Sequence, residues 1–367
     1  MAKITRRKFV RAAGVGGIGA AAATIAAPAI AQSAPELRWR IAASWPKSLD
    51  TLYGGVEYFC RRMAEITDNK FQIQPFAAGE IVPGLQVLDA VQSGTVEMGN
   101  TAMYYYWGKD AAFTFGTALP FGFNTRQMNA WLRFGGGNEL LNDLLKNYNC
   151  YGVAAGNTGA QMGGWFRREL KSVEDLKGLK FRIGGFAGTI VSRLGVVPQQ
   201  LAGGDIYPAL EKGTIDACEW VGPYDDEKLG FQRVARYYYY PGWWEGCGQG
   251  HNLVNLAKWN DLPKAYQSAI VTASGEAWAW VLGKYDAANP AALKRLLAGG
   301  AILRPFPADI MEASFRAANE IYGELVQTNP MFKRLYDSLL AFRNDSFQWM
   351  QVAELGFDTF MMRHSRA

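Results

Sequence analysis

Apolar and polar residues alternate with a period of two in three short stretches of the chain. Leu37, Trp39 and Ile41 alternate with Arg38 and Arg40, Phe71 and Ile73 with Gln72 and Gln74, and Leu179, Phe181 and Ile183 with Lys180 and Arg182. Successive side chains of a strand face opposite sides, so this period predicts strands. Between them the apolar spacing lengthens to that of a helix, over 53–66, 127–145 and 188–194. Beyond Pro263 the pattern is mainly helical, over 265–285, over 309–327 and, after the Asn329-Pro330 break, over 331–342. Strands alternating with helices indicate an α/β chain with open, mostly parallel sheets. Ligands of such sheets sit beyond the carboxyl ends of the strands.

An internal echo divides the chain into two similar parts. Ala90-Val91-Gln92-Ser93-Gly94-Thr95-Val96-Glu97 matches Ala209-Leu210-Glu211-Lys212-Gly213-Thr214-Ile215-Asp216, 119 residues further on. Both copies read as a helix closed by a glycine and followed by a short strand, a unit used once in each of two lobes. After the first copy come Met98-Gly99-Asn100-Thr101 and the Tyr104-Tyr105-Tyr106 run; after the second comes Cys218-Glu219-Trp220. Arg182 ends its own strand just before Gly184-Gly185. The carboxyl-end rule points all three segments toward one cleft between the lobes.

The first 31 residues do not belong to this pattern. Thr5-Arg6-Arg7-Lys8-Phe9-Val10 is a twin-arginine export signature, and an Ala/Gly stretch and Ala29-Ile30-Ala31 follow it. Five bases and no acid lie in this segment, so it accounts for the whole net charge of +5. The remaining chain is neutral, and the alkaline pI gives no reason to expect nucleic-acid binding. Cys60, Cys150, Cys218 and Cys247 fit no zinc or redox spacing. Twin-arginine substrates are exported folded, so mostly free thiols are expected, with a Cys218–Cys247 bridge as the alternative.

Enzyme signatures are missing. Gly14-Val15-Gly16-Gly17-Ile18-Gly19 copies a dinucleotide fingerprint but lies in the export segment and follows no strand. His251 and His364 are the only histidines, and His251, in a Gly-Gln-Gly-His-Asn stretch, reads as structural. What remains is a binding constellation of Gln161, Arg182, Glu219, Trp220 and Glu245 with the tyrosine run. The 236–247 stretch around Glu245 is rich in Tyr, Trp and Gly, which suits a small dehydrated site. A guanidinium fork matches a carboxylate. Alternation along a strand would present Tyr105 alone, or Tyr104 with Tyr106. Two buried acids and one arginine leave one negative charge, and an anionic ligand makes two. A hard cation held by carboxylate, amide and carbonyl oxygens resolves the conflict. Sodium would leave one net negative charge and calcium none, so charge counting favours calcium.

Longer segments carry a resemblance that covers nearly the whole mature chain. Gly79-Glu80-Ile81-Val82-Pro83-Gly84, Tyr104-Tyr105-Tyr106-Trp107-Gly108-Lys109-Asp110, Gln161-Met162-Gly163-Gly164-Trp165-Phe166-Arg167-Arg168 and Glu219-Trp220-Val221-Gly222-Pro223-Tyr224 resemble the solute-binding subunits of tripartite ATP-independent periplasmic (TRAP) transporters, and within them the α-keto acid-binding members. The resemblance implies a two-lobe periplasmic binding protein fold, type II-like, with a long connecting helix. It implies lobe I over 32–159 plus 248–287, lobe II over 160–247 plus 288–330, and a helical dimerisation tail over 331–367. It implies a periplasmic receptor, not an enzyme, that closes on a 2-oxo monocarboxylate and delivers it to membrane subunits. Substrate contacts fall on Gln161, Arg182, Glu219, Tyr104 and Tyr105. Cation ligands fall on Gln161, Glu219, the Trp220 carbonyl and Glu245, with sodium implied for α-keto acid binders and calcium for a lactate-binding relative. A homodimer through the C-terminal helices is implied too. Cys218 and the 246–251 run depart from the pattern, which leaves the preferred acid open. A hydroxy acid such as lactate, and a periplasmic lyase or hydrolase using Glu219 and Glu245, are the rival readings.

Overall fold

The computed structural model describes residues 35–364; the export segment expected over 1–31 lies outside them. Eleven strands form two sheets among the described residues. They are β1 (Leu37–Ala43), β2 (Phe71–Phe76), β3 (Met98–Thr101), β4 (Cys150–Asn157), β5 (Gly164–Phe166), β6 (Lys180–Arg182), β7 (Val197–Gln199), β8 (Ala217–Cys218), β9 (Tyr237–Tyr240), β10 (Gln249–Asn255) and β11 (Ile302–Pro305). The first sheet runs β2-β1-β3-β10-β4 and the second β11-β9-β5-β8-β6-β7.

The sheets are mixed, not mostly parallel: five of the nine strand pairings are parallel. The reason lies in the connections. The chain leaves the first sheet through β4 and enters the second through β5; it returns from β9 into β10. Strands of the outward and return crossings run oppositely, so β4 pairs antiparallel with β10 and β5 with β9.

The internal echo is structural. Helix Val87–Gln92 precedes Gly94 (φ +76°) and β3; helix Gly203–Glu211 precedes Gly213 (φ +72°) and β8. Glycine occupies these left-handed positions at no steric cost. In both copies the closing acid accepts from a backbone amide of the neighbouring strand. Glu97 Oε2 accepts from the Arg40 amide at 2.9 Å, and Asp216 Oδ2 from the Lys180 amide at 2.9 Å. Registers correspond as well: β1 pairs Ile41 with Met98, and β6 pairs Phe181 with Ala217. Asn100, within β3, and Glu219, just after β8, thus hold equivalent places in the two units.

Several helices differ from expectation. The 127–145 stretch is two helices, Thr125–Phe134 and Gly137–Lys146, parted at Gly136 (φ +80°). The helix expected over 265–285 runs from Lys264 to Ala298, through Pro290. It packs on β4 and helix Leu52–Ile66 beside the first sheet and on helix Pro223–Leu229 beside the second. The helix expected over 331–342 spans Pro330–Met350 and continues through a wide turn, Gln351–Leu355, into helix Gly356–His364. This tail leaves Trp349, Val352, Leu355, Phe357 and Phe360 exposed. All four cysteines are free and buried, so no Cys218–Cys247 bridge forms.

Two consecutive carboxylates are buried in the first turn of helix Pro223–Leu229. Asp226 accepts from Trp165 Nε1 at 3.0 Å and from the Tyr238 hydroxyl at 2.7 Å. Asp225 accepts from the hydroxyls of Thr51 and Tyr285, each at 2.6 Å. Burial pushes the carboxyls up, to about 6 for Asp225 and about 7 for Asp226, against these hydrogen bonds. The folded values exceed the unfolded value of about 4, so the folded chain binds these protons more tightly. Their contribution is complete below about pH 4 and is lost as pH rises through 6 to 7. Asp226→Asn keeps an acceptor for both donors and removes one titration. It should flatten the fall in melting temperature between about pH 4 and 7, read by calorimetry, whereas an unchanged slope would count against the assignment.

Candidate functional site: a buried cleft between the sheets

The two crossings are hydrogen-bonded to each other, which sets two side chains side by side. The Gln161 amide donates to the Glu245 carbonyl at 3.1 Å, and Thr158 to the Gly248 carbonyl at 3.0 Å. Gln161 Nε2 donates to Thr158 Oγ1 at 3.1 Å, which fixes the direction of its Oε1. A Cβ on Gly248 would come within 2.6 Å of Gln161 Nε2, 2.7 Å of Thr158 Oγ1 and 3.0 Å of Glu245 Oε2. Only a residue without a side chain lets these three groups converge.

The second sheet supplies the charges. Arg182 and Lys180 share a face of β6, yet Lys180 is exposed at the outer end while Arg182, at the carboxyl end, is buried. Arg182 Nε donates to the Leu201 carbonyl at 3.1 Å. Its Nη1 donates to the Glu219 carbonyl at 2.6 Å and to Glu219 Oε1 at 2.5 Å. The Gly184 amide also donates to Oε1, at 2.6 Å. The guanidinium lies 5.1 Å from the centroid of the Trp220 ring.

Besides the Trp220 indole N–H, four polar atoms of the site are left over. Arg182 Nη2, Gln161 Oε1, Glu219 Oε2 and Glu245 Oε2 are buried and have no hydrogen-bond partner among the described residues. Their residues are only 1%, 7%, 0% and 2% exposed. Each buried orphan costs about 1–3 kcal/mol, more when charged, so four around one site call for something to satisfy them. Burial raises the Glu219 carboxyl even beside Arg182. Burial, and then the charge of Glu219, hold the Glu245 carboxyl well above the usual range. Two carboxylates and one guanidinium thus confine an excess negative charge.

A hard cation fits this donor set. Three of the orphans are oxygens from one amide and two carboxylates, the donors that sodium and calcium take. The Trp220 carbonyl lies between two that are already engaged, Glu219's by Arg182 and Val221's by the Met162 amide at 3.0 Å. Among the described residues no cluster of three His, Cys, Asp or Glu forms. A cation here would therefore rest on two acids and neutral oxygens.

The cleft holds a small cavity of about 40 Å³, and Trp45, Asn100, Tyr104, Tyr105, Gln161, Trp220 and Glu245 are among its lining residues. Arg182 and Glu219 stand behind this lining. The structure brings Tyr104 and Tyr105 to the cleft together, which alternation along a strand forbade. The reason is that Met103–Tyr106 is a 3₁₀ turn, not a strand. The two rings stack at 5.0 Å. Gly185 (φ +60°) makes room, since a Cβ there would be 2.2 Å from the Tyr104 ring. Tyr106 serves the scaffold, its hydroxyl bonded to Thr101 at 2.9 Å and to the Leu88 amide at 3.1 Å. His251 does not line the cleft; burial pushes it down to about 4, so it is neutral.

Trp45 and Asn100 were not singled out in the sequence. The Trp45 indole donates to Asn100 Oδ1 at 2.6 Å. Both follow the carboxyl-end rule, Trp45 just after β1 and Asn100 in β3. The 119-residue offset alone would have paired Asn100 with Glu219.

Residues 41–329 match the family described as bacterial extracellular solute-binding protein, family 7 (DctP). A monocarboxylate 2-oxoacid-binding periplasmic protein of Nostoc sp. is 53% identical over 326 residues, 89% of each chain. Among solved structures, a TRAP transporter solute-binding protein of Bordetella bronchiseptica is 50% identical. Its TM-score is 0.89, with 90% of this chain and 99% of that chain covered. It is a mixed-occupancy dimer with copurified calcium and picolinate in one active site and the other apo. TRAP solute-binding proteins of Pseudoalteromonas atlantica, with sodium and pyruvate, and of Colwellia psychrerythraea, with calcium and pyruvate, are each 34% identical. For both, the TM-score is 0.85 and coverage is 88% of this chain and 98% of theirs.

Proposed function

Because the chain belongs to the family 7 bacterial extracellular solute-binding proteins, the solute receptors of TRAP transporters, we propose that it captures 2-oxo monocarboxylates such as pyruvate through Arg182 and a bridging cation. The observation that carries this reading is the set of four unsatisfied buried atoms, one donor and three oxygens. The donor, Arg182 Nη2, takes a carboxylate oxygen. The oxygens of Gln161, Glu219 and Glu245, with the Trp220 carbonyl, hold the cation. Tyr104, Tyr105 and Trp220 exclude water, which strengthens both attractions.

A 2-oxo acid offers the cation two oxygens, one from its carboxylate and one from the adjacent keto group. Picolinate offers a carboxylate oxygen and a ring nitrogen in the same relation. The ligand class is therefore a carboxylate with a second donor on the neighbouring carbon. Pyruvate is expected to bind at least about 100-fold more tightly than propionate in calorimetry, since propionate leaves a coordination position unfilled. Equal affinities would overturn the chelate reading. Lactate shares the chelating geometry and is the second candidate.

The cation is calcium in this reading. Two carboxylates, one guanidinium and a monoanion sum to −2, which calcium cancels and sodium halves. The 50%-identical relative with copurified calcium supports that choice, over the sodium implied by the α-keto acid-binding members. Lobe I comprises 32–159 and 248–287 and lobe II 160–247 and 288–330, with the crossings and helix Lys264–Ala298 between them. Export through the twin-arginine segment would place the receptor in the periplasm, beside its membrane partners. The tail expected over 331–367 covers a second copy of the chain with the apolar side chains it exposes from Phe347 to Met362. A chain ending at residue 344 is expected to run as a monomer in light scattering where the full chain runs as a dimer. An unchanged mass for the shortened chain would exclude the tail as the dimer contact.

A further inference from the structure

Every group assigned to the ligand is buried, so a ligand enters only when the contacts across the cleft open. Beside Tyr105 that contact is made by one short segment. Gln200 lies between β7 and helix Gly203–Glu211, on the side of the second sheet. Its Oε1 accepts from the Gly185 amide at 3.0 Å, which fixes the orientation of the side-chain amide within that side. Its Nε2 donates across the cleft to the carbonyl of Tyr105 at 3.0 Å. The next residue, Leu201, accepts from Arg182 Nε through its carbonyl. The same two residues thus hold Arg182 from one side and Tyr105 from the other.

We propose that Gln200 is a latch that keeps the cleft shut on its ligand. Both ends of the Gln200 amide are engaged by backbone groups, so it acts as a positioning residue. The amide suits the task because its two ends differ: oxygen meets an N–H and nitrogen meets a carbonyl. Glutamate in its place would keep the bond to Gly185 but offer the Tyr105 carbonyl no donor at neutral pH. The latch forms only when the halves meet, so its loss shortens the life of the closed complex without slowing encounter.

This inference rests on the carboxylate-receptor reading. Its test uses the full mature chain with calcium present and pyruvate as the probe, in stopped-flow binding. In Gln200→Glu and Gln200→Ala the dissociation rate should rise about 10-fold, with the association rate within about twofold of the parent. The melting temperature of ligand-free Gln200→Glu, which keeps the bond to Gly185, should not move. Parent-like dissociation in both variants would overturn the latch alone. A lowered ligand-free melting temperature together with slowed association would also overturn it, by making Gln200 part of the scaffold. If the parent chain bound no pyruvate, the receptor reading would fall and the latch with it.

Discussion

Arg182→Ala is expected to abolish pyruvate binding and also to weaken the ligand-free fold, by about 3–5 kcal/mol. The second effect follows from Glu219, whose Oε1 takes Arg182 Nη1 at 2.5 Å in a fully buried setting. Without the guanidinium that carboxylate keeps the Gly184 amide but loses its countercharge. Arg182→Lys separates the two effects. The ammonium can still face Glu219, but one point charge cannot replace Nε on Leu201, Nη1 on Glu219 and Nη2 on the ligand. The lysine variant should retain most of the melting temperature and lose about 10- to 100-fold in pyruvate affinity, the worth of a charge-assisted hydrogen bond. Parent-like affinity in that variant would remove Arg182 from the ligand.

Stripping sodium and calcium from the protein should lower pyruvate affinity by at least about 100-fold, because the ligand then loses the cation that bridges it to Gln161, Glu219 and Glu245. Micromolar calcium should restore binding, and sodium should do so only at far higher concentration. Restoration by sodium at the same micromolar concentration would defeat the charge argument. Proton linkage gives an independent check. Both carboxyls are raised by burial, so the cation-free site takes up protons more readily than the unfolded chain. Cation binding must expel those protons, so calcium affinity rises with pH until both acids are ionised. Glu245→Gln removes one of these acids; it should weaken calcium binding and shrink the proton release measured in buffers of different ionisation enthalpy.

Much of this site could be read from the chain, because the physics that places it is local. Strand ends, the duplicated helix–glycine–strand unit and the aromatic setting of Glu219 and Glu245 all leave short-range marks. The carboxyl-end rule then gathers Arg182, Glu219 and the tyrosines without knowledge of the fold. What escaped depends on partners distant in sequence. The return crossing makes β10 and β9 antiparallel to β4 and β5, and no single segment carries that information. Tyr104 and Tyr105 share the cleft through a 3₁₀ turn that three successive tyrosines do not signal. The helix through Pro290 survives because helices Leu52–Ile66 and Pro223–Leu229 pack along it, although proline removes the amide that would serve the Asp286 carbonyl. Asp225 and Gln200 look like surface residues until Thr51 and Tyr105 arrive from elsewhere in the chain.

The four thiols bear on how the protein responds to the redox state of its surroundings. Burial lifts Cys150 and Cys247 to about 12 and raises Cys60 and Cys218 further still. A thiol must lose its proton to attack a disulfide, so these sulfurs stay inert whether glutathione or an oxidase surrounds them. The fold therefore needs no covalent cross-link, and reducing and oxidising surroundings leave its architecture the same.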